Sequence, residues 1–87
     1  MKLKYEFSVN QVCGVWCAVA VGKSASQFSG VISLTETAAD MMKYLAEDIT
    51  EDELVQKMLT EYDVPEAGLR RDVQAFIEKL KAENVLC

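Results

Sequence analysis

Thiols are the most reactive side chains in this sequence, which contains three of them, at Cys13, Cys17 and Cys87. An odd number cannot form a closed set of disulfides within one chain, which favours a reducing compartment. Structural zinc takes four ligands, and the sequence has no histidine to complete a site around Cys13 and Cys17. No basic residue adjoins the pair to activate a thiol as a nucleophile. We therefore expect buried free thiols, no metal and no cofactor.

Carboxylates are the next candidates for chemistry, since a pair of them can perform general acid–base catalysis. Glu36 and Asp40 form one such pair, and Asp48 lies close to Glu51 and Asp52 in the sequence. Both groups fall where helices are predicted to begin, so capping and the helix dipole already account for them. In a chain without histidine they indicate no catalytic arrangement. We expect a protein that is not an enzyme.

Positive charge is too sparse for a protein that binds nucleic acid. The chain has 9 lysines and arginines against 14 aspartates and glutamates, a net charge of −5. Affinity for phosphate backbones depends on clustered basic residues. The predicted last helix, from Glu66 to Glu83, carries as many acidic as basic residues. A winged-helix transcriptional regulator needs a basic recognition helix, so it is the less favoured interpretation.

The apolar stretches of the sequence are short. A helix that crosses a membrane needs roughly 18 consecutive apolar residues, and the apolar stretch Val12–Val21 falls well below that length. Together with the odd number of thiols, this leads us to expect a cytoplasmic protein that does not contact a membrane.

Residues 3–34 have the periodicity of β-strands. Apolar side chains alternate from Leu3 to Val9, which predicts a first, half-buried strand. Val15–Val21 is apolar on both faces, which is typical of a central strand or of one covered on its second face. The polar segment Gly22–Gln27 predicts a hairpin loop. Phe28–Leu34 is then the third strand, and its Gly30 favours a position at the sheet edge.

The rest of the chain has the spacing of helices. Thr35 is the predicted N-cap of a first helix, and Thr50 with Glu53 predicts a capping box at the start of a second. Pro65 lies in the first turn of a third, longer helix. The periodicities together predict one α+β domain over residues 1–87, a winged-helix-like fold in which a three-stranded antiparallel sheet is followed by a three-helix bundle. The apolar stripe of the third helix consists of Leu69, Val73, Phe76, Ile77 and Leu80.

Four segments, in this order along the chain, have the hydrophobic pattern of a known family: Val31–Ala38, Ile49–Leu54, Leu59–Tyr62 and Asp72–Leu80. They resemble the family of pyrroloquinoline-quinone (PQQ) biosynthesis protein D, or PqqD. The resemblance extends from the first strand onward and is best over residues 31–86. The family commonly has Leu-Asn where this chain has Leu34-Thr35. Asn and Thr are both preferred N-cap residues, so the helix start is expected in either case.

The resemblance implies a peptide chaperone without catalytic activity. Proteins of the PqqD family capture the leader segment of a ribosomally made precursor peptide. They present it to a modifying enzyme, often a radical S-adenosylmethionine (SAM) protein, in the synthesis of PQQ or of another modified peptide. The leader adds as an extra strand beside the third strand and packs against the third helix. Backbone hydrogen bonds then supply affinity, and side-chain pockets supply specificity.

By this resemblance, two elements contribute the peptide-binding residues. The strand edge would supply Ser29, Gly30, Val31, Ile32 and Ser33. The helix would supply Arg70, Arg71, Gln74, Ile77, Glu78 and Lys81, whose basic members could attract acidic residues of a leader. One alternative stays open, in which the same edge pairs with a second copy of the chain. The protein would then be a homodimeric interaction module whose interface fills the peptide groove.

Overall fold

A computed structural model describes residues 1–28 and 30–86 of the chain. Three strands come first: β1 (Phe7–Val12), β2 (Val15–Ala20) and β3 (Val31–Leu34). Three helices follow: α1 (Glu36–Leu45), α2 (Glu51–Glu61) and α3 (Glu66–Ala82). A short 3₁₀ helix over Gly22–Ser26 joins β2 to β3. The strands form one antiparallel sheet in the order β1-β2-β3, which confirms the predicted α+β fold.

The core lies between one face of the sheet and the three helices. On the sheet, Ala18 and Ile32 are buried and directly opposite each other. The apolar stripe predicted for α3 is buried at all five of its positions. Val85, just beyond α3, is fully buried and closes one end of the core. Within the described ranges 1–28 and 30–86, no helix has the length and apolarity needed to cross a membrane.

The first two helix starts are those that the sequence predicts. The third differs by one position, because Pro65 has extended backbone and precedes α3 as its N-cap instead of lying in its first turn. The Thr35 hydroxyl accepts a hydrogen bond from the Ala38 N–H at 3.1 Å. The capping box is complete, since the Thr50 hydroxyl accepts from the Glu53 N–H at 3.1 Å and the Glu53 carboxylate accepts from the Thr50 N–H at 3.2 Å. Each cap satisfies backbone donors that a helix start leaves without a partner. The first two helices therefore begin where predicted.

The first strand begins later than predicted. Residues before Phe7 have different partners, because the Leu3 N–H donates to the Leu45 carbonyl at 3.0 Å and the Lys4 N–H donates to the Val85 carbonyl at 2.8 Å. β2 ends at Ala20, and Gly22 turns the chain away with φ 61, so β2 does not continue beside residues 3–5. The predicted strand over residues 3–9 is therefore wrong at its start, and β1 extends beyond its predicted end.

The third strand is shorter than the predicted Phe28–Leu34. The Phe28 ring packs against the rings of Tyr5 (5.8 Å between centroids) and Phe7 (5.5 Å) instead of continuing the sheet. Gly30 has φ 134, a conformation that residues with a side chain rarely adopt, and it separates the aromatic contact from β3. The predicted edge position of this strand is confirmed.

The outer sheet face, which points away from the helices, is open. Val12, Val15, Val19 and Val31 lie on it with 59%, 54%, 38% and 62% of their surfaces exposed. β2 is the central strand, as predicted, but no described element covers its second face. Its apolar run on the outer face is therefore not explained by a cover within the described residues.

The described cysteines are less buried than expected. Cys17 is half-buried on the outer sheet face, and Cys13 is exposed in the turn between β1 and β2. The expectation of buried thiols is therefore wrong for Cys13, because a side chain in this two-residue turn is exposed and does not reach the core. Cys87 lies outside the described residues.

The β1–β2 turn offers a stabilising substitution. Cys13 has φ 52 and Gly14 has φ 79, and Val12 pairs with Val15, so this is a two-residue turn with both central residues left-handed. Asparagine tolerates this conformation better than cysteine. We expect Cys13→Asn to raise the free energy of unfolding by about 0.5 kcal/mol, measured by urea denaturation under reducing conditions. Cys13→Ala is the control, because it removes the thiol without favouring the turn; an equal gain from it would contradict this explanation.

A polar contact fastens the end of α2 to α1. The Tyr62 hydroxyl donates to the Asp40 carboxylate, which also pairs with Lys43 at 2.9 Å. These bonds, the one from Tyr62 first, hold the pKa of Asp40 below its ordinary value. The same bond to Asp40 raises the pKa of Tyr62 to about 12. Stability from Asp40 is thus present above the pKa of an unfolded aspartate and is lost as pH falls, whereas that from Tyr62 is lost as pH rises from 10 towards 12.

Removing this hydroxyl tests the contact. We expect Tyr62→Phe to lower the free energy of unfolding by about 1 kcal/mol at pH 7, because the bond is charge-assisted but partly exposed to solvent. The difference should shrink in acid, where Asp40 is protonated in both proteins. Tyr5→Phe, at a tyrosine with no described hydroxyl partner, is the control. Equal losses from both variants, or a loss that does not depend on pH, would contradict this account.

Candidate functional site

The outer edge of β3 carries backbone groups without a strand partner. The Val21 N–H donates to the Glu6 carbonyl at 2.9 Å, so odd-numbered residues of β2 direct their backbone groups at β1 and even-numbered residues direct theirs at β3. Their hydrogen-bonded partners in β3 are Ile32, opposite Ala18, and Leu34, opposite Trp16. The N–H and C=O groups of the alternate residues, Val31 and Ser33, therefore point out of the sheet.

A groove runs beside this edge, between β3, the first turns of α1 and the middle of α3. We call it the β3–α3 groove. Its volume is about 620 Å³. Its lining consists of Ser33, Leu34, Thr35, Thr37, Ala38, Met41, Asp72, Ala75, Phe76 and Lys79. The side chains of Leu34, Met41 and Phe76 give it an apolar floor. An unpaired strand edge and an apolar groove thus lie side by side.

Charged side chains mark the α3 side of this groove. The Lys79 ammonium donates to the carbonyl of Ser33 at 3.0 Å. This bond occupies a backbone acceptor that an added strand would use, as lysine does at many protected sheet edges. Asp72 lies two helical turns earlier on α3 and also lines the groove, so the two charges are about 10 Å apart along the helix.

The strand residues predicted to bind peptide lie in or next to β3. Ser33 lines the groove, and Val31 directs its backbone groups at the open edge. Ile32 is different, because its side chain is buried in the core and its backbone bonds to β2. Gly30 is exposed immediately before the strand. Ser29 lies outside the described residues.

The helix residues predicted to bind peptide lie on other parts of α3 and do not line the β3–α3 groove. Arg70 bonds to Asp52 at 2.6 Å and Gln74 bonds to Glu51 at 3.3 Å, so both face α2. Ile77 is a buried core residue. The remaining three, Arg71, Glu78 and Lys81, are exposed, and Glu78 pairs with Lys81 at 3.7 Å.

The α3 residues that do line the groove are Asp72, Ala75, Phe76 and Lys79. Phe76 was predicted, but only as part of the core. The spacing of the four, at i, i+3, i+4 and i+7, marks one helix face and was present in the sequence. The buried stripe of α3 has this groove face on one side and the face that carries Arg70 and Gln74 on the other. The sequence does not indicate which of these two faces lies next to β3.

Comparison with known protein families identifies the chain. The family described as Coenzyme PQQ synthesis protein D (PqqD) matches residues 20–86. The match covers both sides of the β3–α3 groove and all three helices. This chain belongs to the PqqD family, which confirms the resemblance seen in the sequence. A comparison with curated proteins finds no match.

Comparison with solved structures supports the same fold. A similar structure is that of "TbiB1 in Complex with the TbiA(beta) Leader Peptide", with a TM-score of 0.72 and 17% sequence identity. The alignment covers 99% of this chain and 94% of the TbiB1 chain. At this identity the likeness establishes a shared fold over nearly the full length of both chains.

Proposed function

We propose that this protein is a non-catalytic chaperone that binds the leader of a ribosomally made precursor peptide in the β3–α3 groove. The observation that carries the proposal is the outward backbone of Val31 and Ser33 directly beside an apolar groove. Membership of the PqqD family and a shared fold with a protein solved bound to a leader peptide support it. The leader would be handed to a modifying enzyme, most readily a radical SAM protein, in the cytoplasm.

Strand addition would supply the first part of the binding energy. A leader in extended conformation would exchange hydrogen bonds with the N–H and C=O groups of Val31 and Ser33. The outer sheet face would then continue onto the leader, beside the exposed side chain of Val31. Because backbone groups are the same in every peptide, this step gives affinity without sequence preference.

The groove would supply specificity. Alternate side chains of an added strand point to the same face, so those on the helix side would enter the space between β3 and α3. The apolar floor of Leu34, Met41 and Phe76 suits an aliphatic or aromatic leader residue. Full burial of one such side chain is worth about 1.5–3 kcal/mol.

Lys79 would change partners when the leader binds. Its bond to the Ser33 carbonyl competes with the incoming strand for the same acceptor. Once displaced, the ammonium would stay at the groove mouth, where a leader carboxylate could pair with it. A carboxylate near Lys79 would thus offset the cost of releasing the strand edge.

An NMR titration of the labelled protein tests this proposal. The probe is a synthetic leader of the precursor peptide encoded beside the gene. We expect saturable shifts of the outward amides of Val31 and Ser33, larger than those of the inward amides of Ile32 and Leu34. The α3 amides around Ala75 should move with them. Shifts confined to other surfaces of the protein would contradict leader capture in this groove.

Filling the groove tests the same site by mutation. Ala75 is an exposed residue of α3 that lines the groove, so we expect Ala75→Trp to weaken leader binding about tenfold by occupying the leader's place. Ala82, exposed at the end of α3 and outside the groove lining, is the matched position. Calorimetric titration should show normal affinity for Ala82→Trp. Equal affinities of the two variants would place the leader elsewhere.

A further inference from the structure

The outer edge of β1 is a second open strand edge. The same alternation that points Val31 outward leaves Phe7, Val9 and Gln11 with N–H and C=O groups directed away from β2. No backbone or side-chain group within residues 1–28 and 30–86 hydrogen-bonds to these three residues on that side. β1 is also the longer of the two edges, with six residues against the four of β3.

The strand itself carries none of the residues that usually protect an edge. The sequence of β1, Phe-Ser-Val-Asn-Gln-Val, contains no charged residue, glycine or proline. Natural edge strands are commonly guarded by such residues or by bulges, because an unguarded edge is a template for another strand. The β3 edge illustrates the contrast, since Lys79 occupies its Ser33 carbonyl. The two edges of one sheet are thus built differently.

Space for another strand lies next to this edge. We call it the β1 groove, a cleft of about 890 Å³ between β1, the N-terminal segment and α1. Its apolar lining includes Tyr5, Phe7, Val9, Trp16 and Met42. Three lysines, Lys2, Lys4 and Lys43, also line it. Glu6 also lines the groove and Lys43 pairs with Asp40, so two carboxylates offset part of this positive charge, and an uncharged strand can be accommodated. Lys4 donates to the neutral Asn84 side chain and keeps its charge.

We propose that two copies of this chain pair through their β1 strands in antiparallel orientation about a two-fold axis. With Val9 opposite Val9 of the second copy, Phe7 lies opposite Gln11, and the three outward residues of each copy form about six hydrogen bonds. No charged residue of either β1 meets another in this register. The strand is therefore complementary to itself, as a two-fold interface requires.

The dimer would leave both peptide sites open. Its sheet would have six strands in the order β3-β2-β1-β1-β2-β3, with one β3–α3 groove at each end. At a strand spacing of about 4.8 Å, the two β3 edges would be about 24 Å apart. This arrangement differs from a dimer through β3, which would occupy the peptide groove. It does not depend on leader binding.

Sedimentation equilibrium under reducing conditions tests the dimer. The chain has a mass of 9.7 kDa, and we expect the average mass to rise towards twice that value between about 10 μM and 1 mM protein. Because each copy carries a net charge of −5, added salt should strengthen the association. A mass of one chain at every concentration and salt would overturn the proposal.

Proline variants locate the interface. Val9→Pro removes an outward N–H without breaking a bond to β2, so it should keep the fold and abolish the dimer. Val9→Thr keeps the N–H and should still dimerise. Gln11→Pro, in the exposed half of β1, repeats the test if Val9→Pro unfolds, with Gln11→Ala as its control. A dimer that survives the proline variants of β1 but is lost in Ser33→Pro would use the β3 edge and would overturn the proposal.

Discussion

Replacing Ser33 with proline is expected to weaken leader binding about 30-fold while the protein stays folded. The Ser33 N–H points out of the sheet, so its loss breaks no bond between β2 and β3. An added strand, however, would lose a donor and be left with a carbonyl group that has no partner. The proline ring would also stand where the added strand must approach. Calorimetric titration with the synthetic leader measures the change.

Ser33→Ala is the matched control for this experiment. It removes the hydroxyl but keeps the backbone N–H, so we expect it to bind the leader like the natural protein. A thermal melt followed by circular dichroism establishes that both variants are folded. If folded Ser33→Pro binds with unchanged affinity, the leader does not add to the β3 edge. The result also distinguishes leader binding at the β3 edge from dimerisation at the β1 edge, because the dimer proposed through β1 should persist in both variants.

Features that depend on neighbouring residues were predictable from the sequence. Thr35 caps α1 and Thr50 forms a capping box with Glu53, as predicted, because a cap needs only residues within one helical turn. The buried stripe of α3 was predictable for a similar reason, since its period is that of the helix. These local signals, together with the family resemblance, were enough to indicate the fold.

Features that depend on distant partners were not predictable. Leu3 belongs to the alternating pattern of the first strand, yet its N–H bonds to the carbonyl of Leu45 at the end of α1. The groove side of α3 is a similar case. Arg70 and Lys79 are both basic residues at the border of the buried stripe, but Arg70 bonds to Asp52 of α2 and Lys79 bonds to Ser33 of β3. Only the packing of α3 against its neighbours decides between them.

The charge of the groove follows from the same packing. The basic side chain at the strand edge is Lys79, and its partner in the free protein is a backbone carbonyl. Arg70 is surrounded by acids, with Asp52 at 2.6 Å, Glu66 at 3.7 Å and Glu51 at 3.9 Å. The positive charge of Lys79 is therefore available to an acidic leader residue, because its existing bond is to a neutral carbonyl. The charge of Arg70 is already offset by its three acidic neighbours.

Truncation of Leu54 is expected to have the largest effect on stability. Its side chain is fully buried in α2 and belongs to the core cluster, so Leu54→Ala leaves a cavity that its neighbours fill only in part. We expect a loss of about 2–5 kcal/mol in the free energy of unfolding, measured by urea denaturation. A domain of this size has a total of the order of 5–15 kcal/mol, so the variant would be marginal at 37 °C. Leu59→Ala, at a half-buried position on the same helix, should cost clearly less.

The same variant separates stability from binding. Leu54 does not line the β3–α3 groove, so the folded fraction of Leu54→Ala should keep the affinity of the natural protein for the leader. We would add leader to both proteins at the same concentration, one hundred times the dissociation constant of the natural protein. It should then add about 2.7 kcal/mol to the unfolding free energy of both, because it binds only the folded state. Equal gains would show that α2 supports the groove only by keeping the chain folded. A smaller gain for the variant would mean that core packing beneath α3 also shapes the groove.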